Sequence, residues 1–266
     1  MKIGIIGTGN LGKSIAKGLI STNAITSLYV TKRNLNTIIE FKGYKNVYLT
    51  VDNSEAIQNS DIIIMAVQPA HLEGVLKEIK PLLKENHIII STITGFSIAK
   101  IEGIIGVDNF IVRAMPNTAI AVGKSMTCLC GNTKGLERIK VAEAIFNRLG
   151  ASLVIPESQM QAATVVCASG IAFWMRMIRA TTQAAIQLGF DAKEAQELAM
   201  HTCDGAANLL IASGNHPEQE IDKVTTPKGC TIEGLNEMEH QGLSSSLIQG
   251  MVTSYDKINT IKIKQL

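Results

Sequence analysis

The chain has 266 residues, 46% hydrophobic and 18% charged, with a formal net charge of +2 at pH 7. These proportions exclude a disordered chain and a coiled coil, and they predict one large or two moderate globular domains. The small net charge and the scattered Lys and Arg residues argue against a nucleic-acid surface, so we expect a small-molecule partner. No secretory leader pattern is visible at the start, and we expect a cytoplasmic protein that is not embedded in a membrane.

The first predicted strand, residues 2–6, leads into the stretch GTGNLGKS at 7–14. This stretch matches both the dinucleotide fingerprint G-x-G-x-x-G and the phosphate-loop pattern G-x-x-x-x-G-K-[ST]. Both patterns describe a strand, a tight glycine turn and a helix whose free N–H groups face phosphate. The local sequence therefore leaves two alternatives, a dinucleotide-binding protein and a phosphate-loop NTPase.

Apolar strand-like runs then alternate with amphipathic helical stretches. The runs occupy 27–31, 46–50, 61–67, 87–92, 109–114, 125–130 and 151–155. The helical stretches between them occupy 34–41, 53–59, 70–84 and 134–148. This alternation predicts an α/β domain, doubly wound around a mostly parallel sheet, over residues 1–156.

From Glu157 onward no further strand-like run appears, which predicts an all-α domain over 157–266. The stretch SQMQ at 158–161 has the form of a capping box for a helix to Leu188, and Asp191 is the expected start of the next helix. Residues 162–175 are apolar on almost every face but too short to span a bilayer. Burial against a partner subunit and burial within the same chain are both open for this helix.

The cysteines form no C-x-x-C pair, and we expect reduced thiols in or near the core. They are Cys128, Cys130, Cys167, Cys203 and Cys230. Cys128 and Cys130 share one side of a predicted strand with no histidine nearby, so no metal site is expected.

The stretch after the second strand decides between the two alternatives. A phosphate-loop NTPase needs an acidic residue at the end of a buried strand, and no strand end offers a convincing one. A dinucleotide site needs a strand that ends about twenty residues after the glycines, where 27–31 lies. Thr31, Lys32 and Arg33 occupy this position, and no acidic residue occurs before Glu40. Cations and hydroxyls suit a 2′-phosphate, so we predict NADP(H) bound by these three residues, and NAD(H) with lower preference.

Three later stretches carry a family resemblance: AVQP at 66–69, RAMPNT at 113–118 and TPKGCTIEGL at 226–235. With the glycine turn and the helical tail, they resemble the pyrroline-5-carboxylate reductase family over essentially the whole chain. The resemblance implies a Rossmann-type N-terminal domain and an all-α dimerisation domain, in a homodimer or a larger assembly of dimers. It also implies NAD(P)H-dependent reduction of the cyclic imine 1-pyrroline-5-carboxylate to L-proline.

The resemblance also implies site residues. Thr231 would be catalytic, with its hydroxyl near the ring nitrogen at the start of a helix over about 232–240 that binds the substrate carboxylate. The residues implied to bind substrate are Thr226, Gly229, Cys230, Thr231, Ser169 and Gly170. Those implied to bind the cofactor are Ile6, Gly7, Thr8, Gly9, Asn10, Leu11, Asn53, Ala66, Val67, Gln68, Pro69, Met115 and Asn117. Simpler roles are alternatives for three of them: Thr231 as a helix N-cap, Met115 as core and Asn117 as a turn residue.

The chain departs from the usual family pattern at several positions. They are Gln68, Ala119, Ile171, Phe173, Lys228 and Cys230. Because several of them border the expected cleft, a reductase of another small cyclic imine stays an alternative, as does a non-catalytic NADP-binding regulator. A β-hydroxyacid dehydrogenase is disfavoured, because it needs a lysine in the interdomain helix and none occurs between Lys140 and Lys193.

Overall fold

The computed structural model describes residues 1–22 and 25–263. It contains two compact units, whose main segments are Met1–Ser169 and Gly170–Ile261. The change from one unit to the next falls inside the long helical region, and the domain limits 1–156 and 157–266 stay a prediction.

Within the described residues, eight strands form one sheet in the first unit, in the order β3-β2-β1-β4-β5-β6-β7-β8. They are β1 (Lys2–Ile6), β2 (Ser27–Thr31), β3 (Val47–Thr50), β4 (Ile62–Met65), β5 (Ile88–Ser91), β6 (Phe110–Met115), β7 (Ser125–Gly131) and β8 (Gly150–Val154). Neighbouring strands are parallel except for β6 and β7. Only 116–124 join these two strands, which is too short for the crossover of about a dozen residues that a parallel pair needs. The predicted mostly parallel sheet is confirmed.

Helices of the first unit cover both faces of the sheet. They are α1 (Asn10–Ser21), α2 (Asn53–Gln58), α3 (Pro69–Ile79), α4 (Ile98–Ile105), α5 (Thr133–Glu137), α6 (Ile139–Phe146) and α7 (Met160–Ala163). Successive residues of a strand point to opposite faces. In β4, Ile62 and Ile64 therefore join the core cluster under α1 and α6, whereas Ile63 and Met65 join the cluster under α3 and α4. This two-sided burial explains the continuous apolar runs and confirms the doubly wound fold.

Two helical stretches differ from the sequence prediction. Residues 34–41 form a 3₁₀ segment, Leu35–Phe41, which is interrupted by the non-helical backbone of Ile38. The stretch 134–148 is divided into α5 and α6 at Arg138, whose φ of −116° is outside the helical range.

The capping box predicted at 158–161 was wrong. The helical region starts as a 3₁₀ turn, Glu157–Gln159, without a side-chain cap in the described chain. The carboxylate of Glu157 instead accepts hydrogen bonds from Ile98 N at 2.7 Å and Arg113 Nη1 at 2.8 Å. Glu157 therefore ties the start of the helical region to α4 and β6.

The second unit is helical, as predicted. Its helices are α8 (Gly170–Gln187), α9 (Ala192–Ser213), α10 (Pro217–Val224), α11 (Cys230–His240) and most of α12 (Leu243–Ile263). Asp191 caps α9 by accepting hydrogen bonds from Lys193 N at 2.8 Å and Glu194 N at 3.0 Å. The predicted helix to Leu188 includes a π-helical segment, Thr164–Ser169, which was not expected.

Large apolar side chains of the helical region are exposed. Val166 is 56% exposed, Trp174 56%, Met175 59% and Ile211 81%. The alternative that this chain alone buries the apolar helix is therefore wrong. By length and composition alone, the described stretch Glu157–Gln187 is also long and apolar enough to cross a membrane.

Candidate active site

A tight turn follows β1 at the carboxyl edge of the sheet. Gly7 has φ +90°, and a Cβ there would lie 2.5 Å from Val67 Cγ1. Its N–H donates to Thr31 Oγ1 at 3.2 Å, and Thr8 N donates to Thr31 O at 2.9 Å. Gly9 N closes the turn by donating to Gly7 O at 2.9 Å. Only glycine fits this conformation and close approach.

Helix α1 begins directly after the turn. Asn10 is its first residue, Gly9 is its N-cap, and no side chain among the described residues caps it. A Cβ on Gly12 would lie 2.7 Å from Gly7 O, whereas one on Gly9 would meet nothing within 4 Å. Thr8 is fully buried and Leu11 half-buried. The open side above Gly9 and the free N–H groups of α1 fit a pyrophosphate.

The residues that completed the phosphate-loop pattern have other partners. Lys13 Nζ lies 3.7 Å from Glu40 Oε2, and Ser14 Oγ donates to Asn10 O at 3.1 Å. Lys17 Nζ is 3.0 Å from Glu40 Oε1, and this hydrogen bond is the main cause that lowers the pKa of Glu40. The first acidic residue of the chain is thus tied to the exposed side of α1. These contacts favour the dinucleotide alternative.

At the end of β2 the three predicted phosphate ligands differ in position. Thr31 is 3% exposed, and its hydroxyl oxygen accepts the Gly7 N–H, so this side chain supports the turn. Lys32 is half-buried and Arg33 exposed. The two cations, more than the threonine, are placed to meet a phosphate.

The ends of β3 and β4 lie at the same edge. Asn53 opens α2, and its Nδ2 donates to Glu78 Oε1 at 3.1 Å. Ala66 N donates to Ile6 O at 2.8 Å, which holds the end of β4 beside the glycine turn. Exposed Gln68 is the N-cap of α3, and Pro69 is its first residue.

Met115 and Asn117 follow at the end of β6. Met115 is 4% exposed, in agreement with the core alternative, and its Sδ accepts a hydrogen bond from Thr94 Oγ1 at 3.7 Å. Asn117 Oδ1 accepts from Ala119 N at 3.0 Å and starts the 3₁₀ segment Thr118–Val122, in agreement with the turn alternative. Its Nδ2 also donates to Cys167 O at 3.2 Å, which ties this strand end to the π-helical segment.

The second unit contains the predicted substrate turn. Gly229 N donates to Thr226 O at 2.9 Å, and a Cβ on Gly229 would lie 2.4 Å from Thr226 Oγ1. Lys228 has φ +60°, the left-handed region that glycine usually occupies. Gly170 is buried at the start of α8, and Ser169 ends the π-helical segment of the first unit.

Helix α11 begins at Cys230, two residues earlier than predicted, and Gly229 is its N-cap. The alternative that Thr231 serves as the N-cap is therefore wrong: Thr231 lies inside the first turn. No side chain in the described ranges caps this helix start. Its N–H groups can bind a carboxylate next to the Thr231 hydroxyl. Cys230 is exposed, contrary to the expectation that the cysteines lie in or near the core.

No group of three His, Cys, Asp or Glu side chains within 1–22 and 25–263 could hold a metal ion. Glu157 and Cys167 were not predicted as site residues, although they bind Arg113 and Asn117 from the helical region. Their contacts join residues 44 and 50 positions apart, and no local pattern signals such pairs.

Family models match two parts of the chain. Residues 2–95 match the model "NADP oxidoreductase coenzyme F420-dependent", and residues 157–261 match "Pyrroline-5-carboxylate reductase dimerisation". The first match covers the glycine turn and the ends of β2, β3 and β4, but not the end of β6, and the second covers most of the helical region.

Curated relatives and solved structures agree with these matches. The chain is 46% identical to pyrroline-5-carboxylate reductase 1 of Dictyostelium discoideum over 96% of its own length, and spans 49% of that relative. It is 40% identical to reductase 2 of the same organism, and the alignment covers 96% of the chain and 91% of the relative. A pyrroline-5-carboxylate reductase structure from Coxiella burnetii matches with a TM-score of 0.91 and 29% identity over 97% of both chains. A Plasmodium falciparum pyrroline carboxylate reductase with NADP bound matches with a TM-score of 0.85 and 27% identity over 98% of both. The chain therefore belongs to the pyrroline-5-carboxylate reductase family.

Proposed function

We propose that this protein reduces 1-pyrroline-5-carboxylate to L-proline with NADPH. The observation that carries the proposal is the start of α11, where Thr231 lies in a first helical turn that no side chain within the described residues caps. The 40% identity to a reductase over nearly its whole length supports the same reaction. A bound NADPH would supply the hydride from its nicotinamide C4 to the imine carbon.

The residues of this chain would bind and orient the reactants. The N–H groups at the start of α11 would bind the substrate carboxylate, with the Thr226–Gly229 turn fixing their position. The Thr231 hydroxyl would hydrogen-bond the ring nitrogen and keep its proton in place during reduction. The turn at 7–11, Asn53, 66–69 and the end of β6 would hold the cofactor.

The preference for NADP(H) over NAD(H) is part of the proposal. Lys32 and exposed Arg33 at the end of β2 support it, because charge-assisted hydrogen bonds to a phosphate are strong. The ion pairs of Glu40 with Lys13 and Lys17 also support the preference for NADP(H). The Glu40 carboxylate is already paired with α1, so it is not free to accept a hydrogen bond from the ribose 2′-hydroxyl of NAD(H). NAD(H) would bind more weakly.

We propose a homodimer as the minimal assembly, with larger assemblies of dimers as an extension. The exposed apolar side chains Trp174, Met175 and Ile211 support it, as does the dimerisation model matched by 157–261. Arg176 and Arg179 interrupt the apolar stretch and favour a protein partner over a bilayer, so we propose a cytoplasmic location. Light scattering should give a molecular mass in solution of at least twice the chain mass of 28.6 kDa.

The test is the rate of NADPH oxidation at neutral pH with 1-pyrroline-5-carboxylate, measured beside NADH and beside another small cyclic imine. We expect rapid turnover, with NADPH preferred and proline as the product. Turnover only with the other imine would assign a different substrate. Tight NADPH binding without any turnover would contradict the reductase and favour a regulator.

A further inference from the structure

Two cysteines of the first unit lie beside each other next to the end of β6. Cys128 Sγ and Cys167 Sγ are 3.9 Å apart, although the residues are 39 positions apart in the chain. Cys128 belongs to β7 and is 3% exposed, whereas Cys167 belongs to the π-helical segment and is partly exposed. π-Helical turns often occur at functional sites.

The two thiols differ in reactivity. A hydrogen bond from Cys128 lowers the pKa of Cys167 to about 7, although partial burial acts in the opposite direction. The same hydrogen bond raises the pKa of Cys128. Because the thiolate is the nucleophile, Cys167 is the thiol that reacts first near neutral pH. Burial raises the pKa of Cys130 to about 11, so this neighbour on β7 is inert by comparison.

The thiol pair is joined to the residues that would line the nicotinamide pocket. Asn117 Nδ2 donates to the backbone oxygen of Cys167 at 3.2 Å. Met115 is paired with Cys128 in the ladder between β6 and β7. A change at the two sulfurs therefore acts on direct partners of both Asn117 and Met115.

We propose that Cys128 and Cys167 are a reversible modification site that takes small-molecule disulfides as its oxidant. Formation of the Cys128–Cys167 disulfide displaces the backbone of Cys167, removes the anchor of Asn117 and lowers turnover. The effect on turnover rests on the proposed function, whereas formation of the disulfide does not.

The exchange proceeds in two steps. The Cys167 thiolate attacks one sulfur of the small disulfide, whose S–S bond breaks and releases one thiolate. Cys128 then attacks Cys167 Sγ, the mixed disulfide breaks, and the Cys128 proton goes to the second thiolate that leaves. Two protein thiols are oxidised and one small disulfide is reduced to two thiols. A disulfide bond measures about 2.0 Å, so the sulfurs must approach by about 2 Å.

The test incubates the full-length protein with oxidised glutathione and maps its disulfides by mass spectrometry after digestion. We expect one linked pair of peptides, containing Cys128 and Cys167, with a mass two hydrogens below their sum. Turnover should fall at least tenfold and return on treatment with dithiothreitol. Cys167→Ser should keep its own turnover through the treatment, whereas the matched control Cys203→Ser should lose turnover as the unmodified protein does.

Glutathione adducts on Cys230 or Cys203 without the Cys128–Cys167 link would overturn the proposal. Complete formation of the Cys128–Cys167 disulfide with unchanged turnover would show that the hydrogen bond from Asn117 to Cys167 O does not control turnover. NADPH affinity, followed by the fluorescence of the cofactor itself, gives a readout that needs no substrate, and we expect the affinity to weaken on oxidation. If the reduced protein turns over no imine, the proposed function fails, while the peptide map and NADPH affinity still test the site.

Discussion

Arg33 is an exposed cation at the strand end where dinucleotide-binding domains meet the adenosine ribose. The acidic residue that would suit a free 2′-hydroxyl is absent there, and Glu40 is engaged with Lys13 and Lys17. The proposed preference for NADP(H) therefore rests in part on the charge at this position.

We predict that Arg33→Glu weakens NADPH binding at least tenfold and NADH binding much less. Hydrogen bonds to charged groups contribute about 1.5–3 kcal/mol, and the new carboxylate would also repel the 2′-phosphate. The measurement is the dissociation constant of each cofactor. Lys45→Glu is the matched control, because exposed Lys45 precedes β3 at the opposite edge of the sheet. Equal weakening of both cofactors would contradict the assignment of Arg33.

Thr231 lies in the first turn of α11 but does not cap it. We predict that Thr231→Ala lowers kcat at least tenfold, about 1.4 kcal/mol of barrier, because the ring nitrogen loses its hydrogen-bond partner. The unfolding midpoint should change little, since Gly229 is the N-cap. Thr231→Ser keeps the hydroxyl and should retain most of the activity. Full turnover of the alanine variant would remove Thr231 from the mechanism.

At the scale of elements, the glycines of the β1–α1 turn have two different roles. Gly12 brings α1 against the turn, since a Cβ there would lie 2.7 Å from Gly7 O. Gly9 faces open space and has an ordinary negative φ of −77°. A side chain at Gly12 must disturb the packing of α1, whereas one at Gly9 would occupy only the space above the turn.

We predict that Gly9→Ala keeps the stability of the protein and loses at least tenfold in NADPH affinity. Gly12→Ala should lose both stability and affinity. Gly74→Ala is the control, because its Cβ meets nothing in the middle of α3, and it should stabilise by up to about 1 kcal/mol. Urea unfolding and cofactor titration measure the two effects. A Gly9→Ala variant that unfolds at a lower urea concentration, or that binds NADPH with unchanged affinity, would contradict the separate roles assigned to Gly9 and Gly12.

The sequence predicted elements well wherever local periodicity determines them. The run 61–67 contains β4, because a strand buried on both faces needs consecutive apolar residues. Prediction from the sequence failed where contacts between distant residues determine the local structure. The box predicted at 158–161 does not form, whereas Glu157 just before it binds Ile98 N of α4 and Arg113 of β6, which no local pattern signals.

The same limit applies to the candidate site. The glycine turn could be found from its spacing, but the support that Thr31 gives it depends on the pairing of β1 with β2. The contact between Cys128 and Cys167 depends on how the helical region packs on β7. Such contacts follow from the assembled unit, and no short stretch of sequence contains them.

For the molecule as a whole, His87 makes stability depend on pH. It is 1% exposed, its Nδ1 accepts from Lys84 N at 3.1 Å, and its Nε2 has no partner within the described chain. Burial is the main cause that lowers the pKa of His87 below its ordinary value of 6.5. The folded state therefore binds the proton less readily than the unfolded chain.

We predict that this contribution is fully present above pH 6.5, declines as the pH falls toward the lowered pKa, and changes no further below it. The measurement is the free energy of unfolding from pH 8 to pH 5. His87→Asn should flatten the decline, whereas His71→Asn, at an exposed histidine of α3, should leave it unchanged. An unaltered pH dependence in His87→Asn would assign the decline to other groups.

The strand order has a consequence for synthesis on the ribosome. After β4 has paired with β1, each of β5, β6, β7 and β8 adds beside the strand made immediately before it. A growing chain can therefore extend its sheet one strand at a time, without waiting for a distant segment. Until the next strand emerges, however, the newest one presents unpaired N–H and C=O groups beside apolar side chains, as in the IIIM of β4 and the IIIS of β5. Translation that stops between β4 and β7 thus leaves an open apolar edge, which is a template for aggregation.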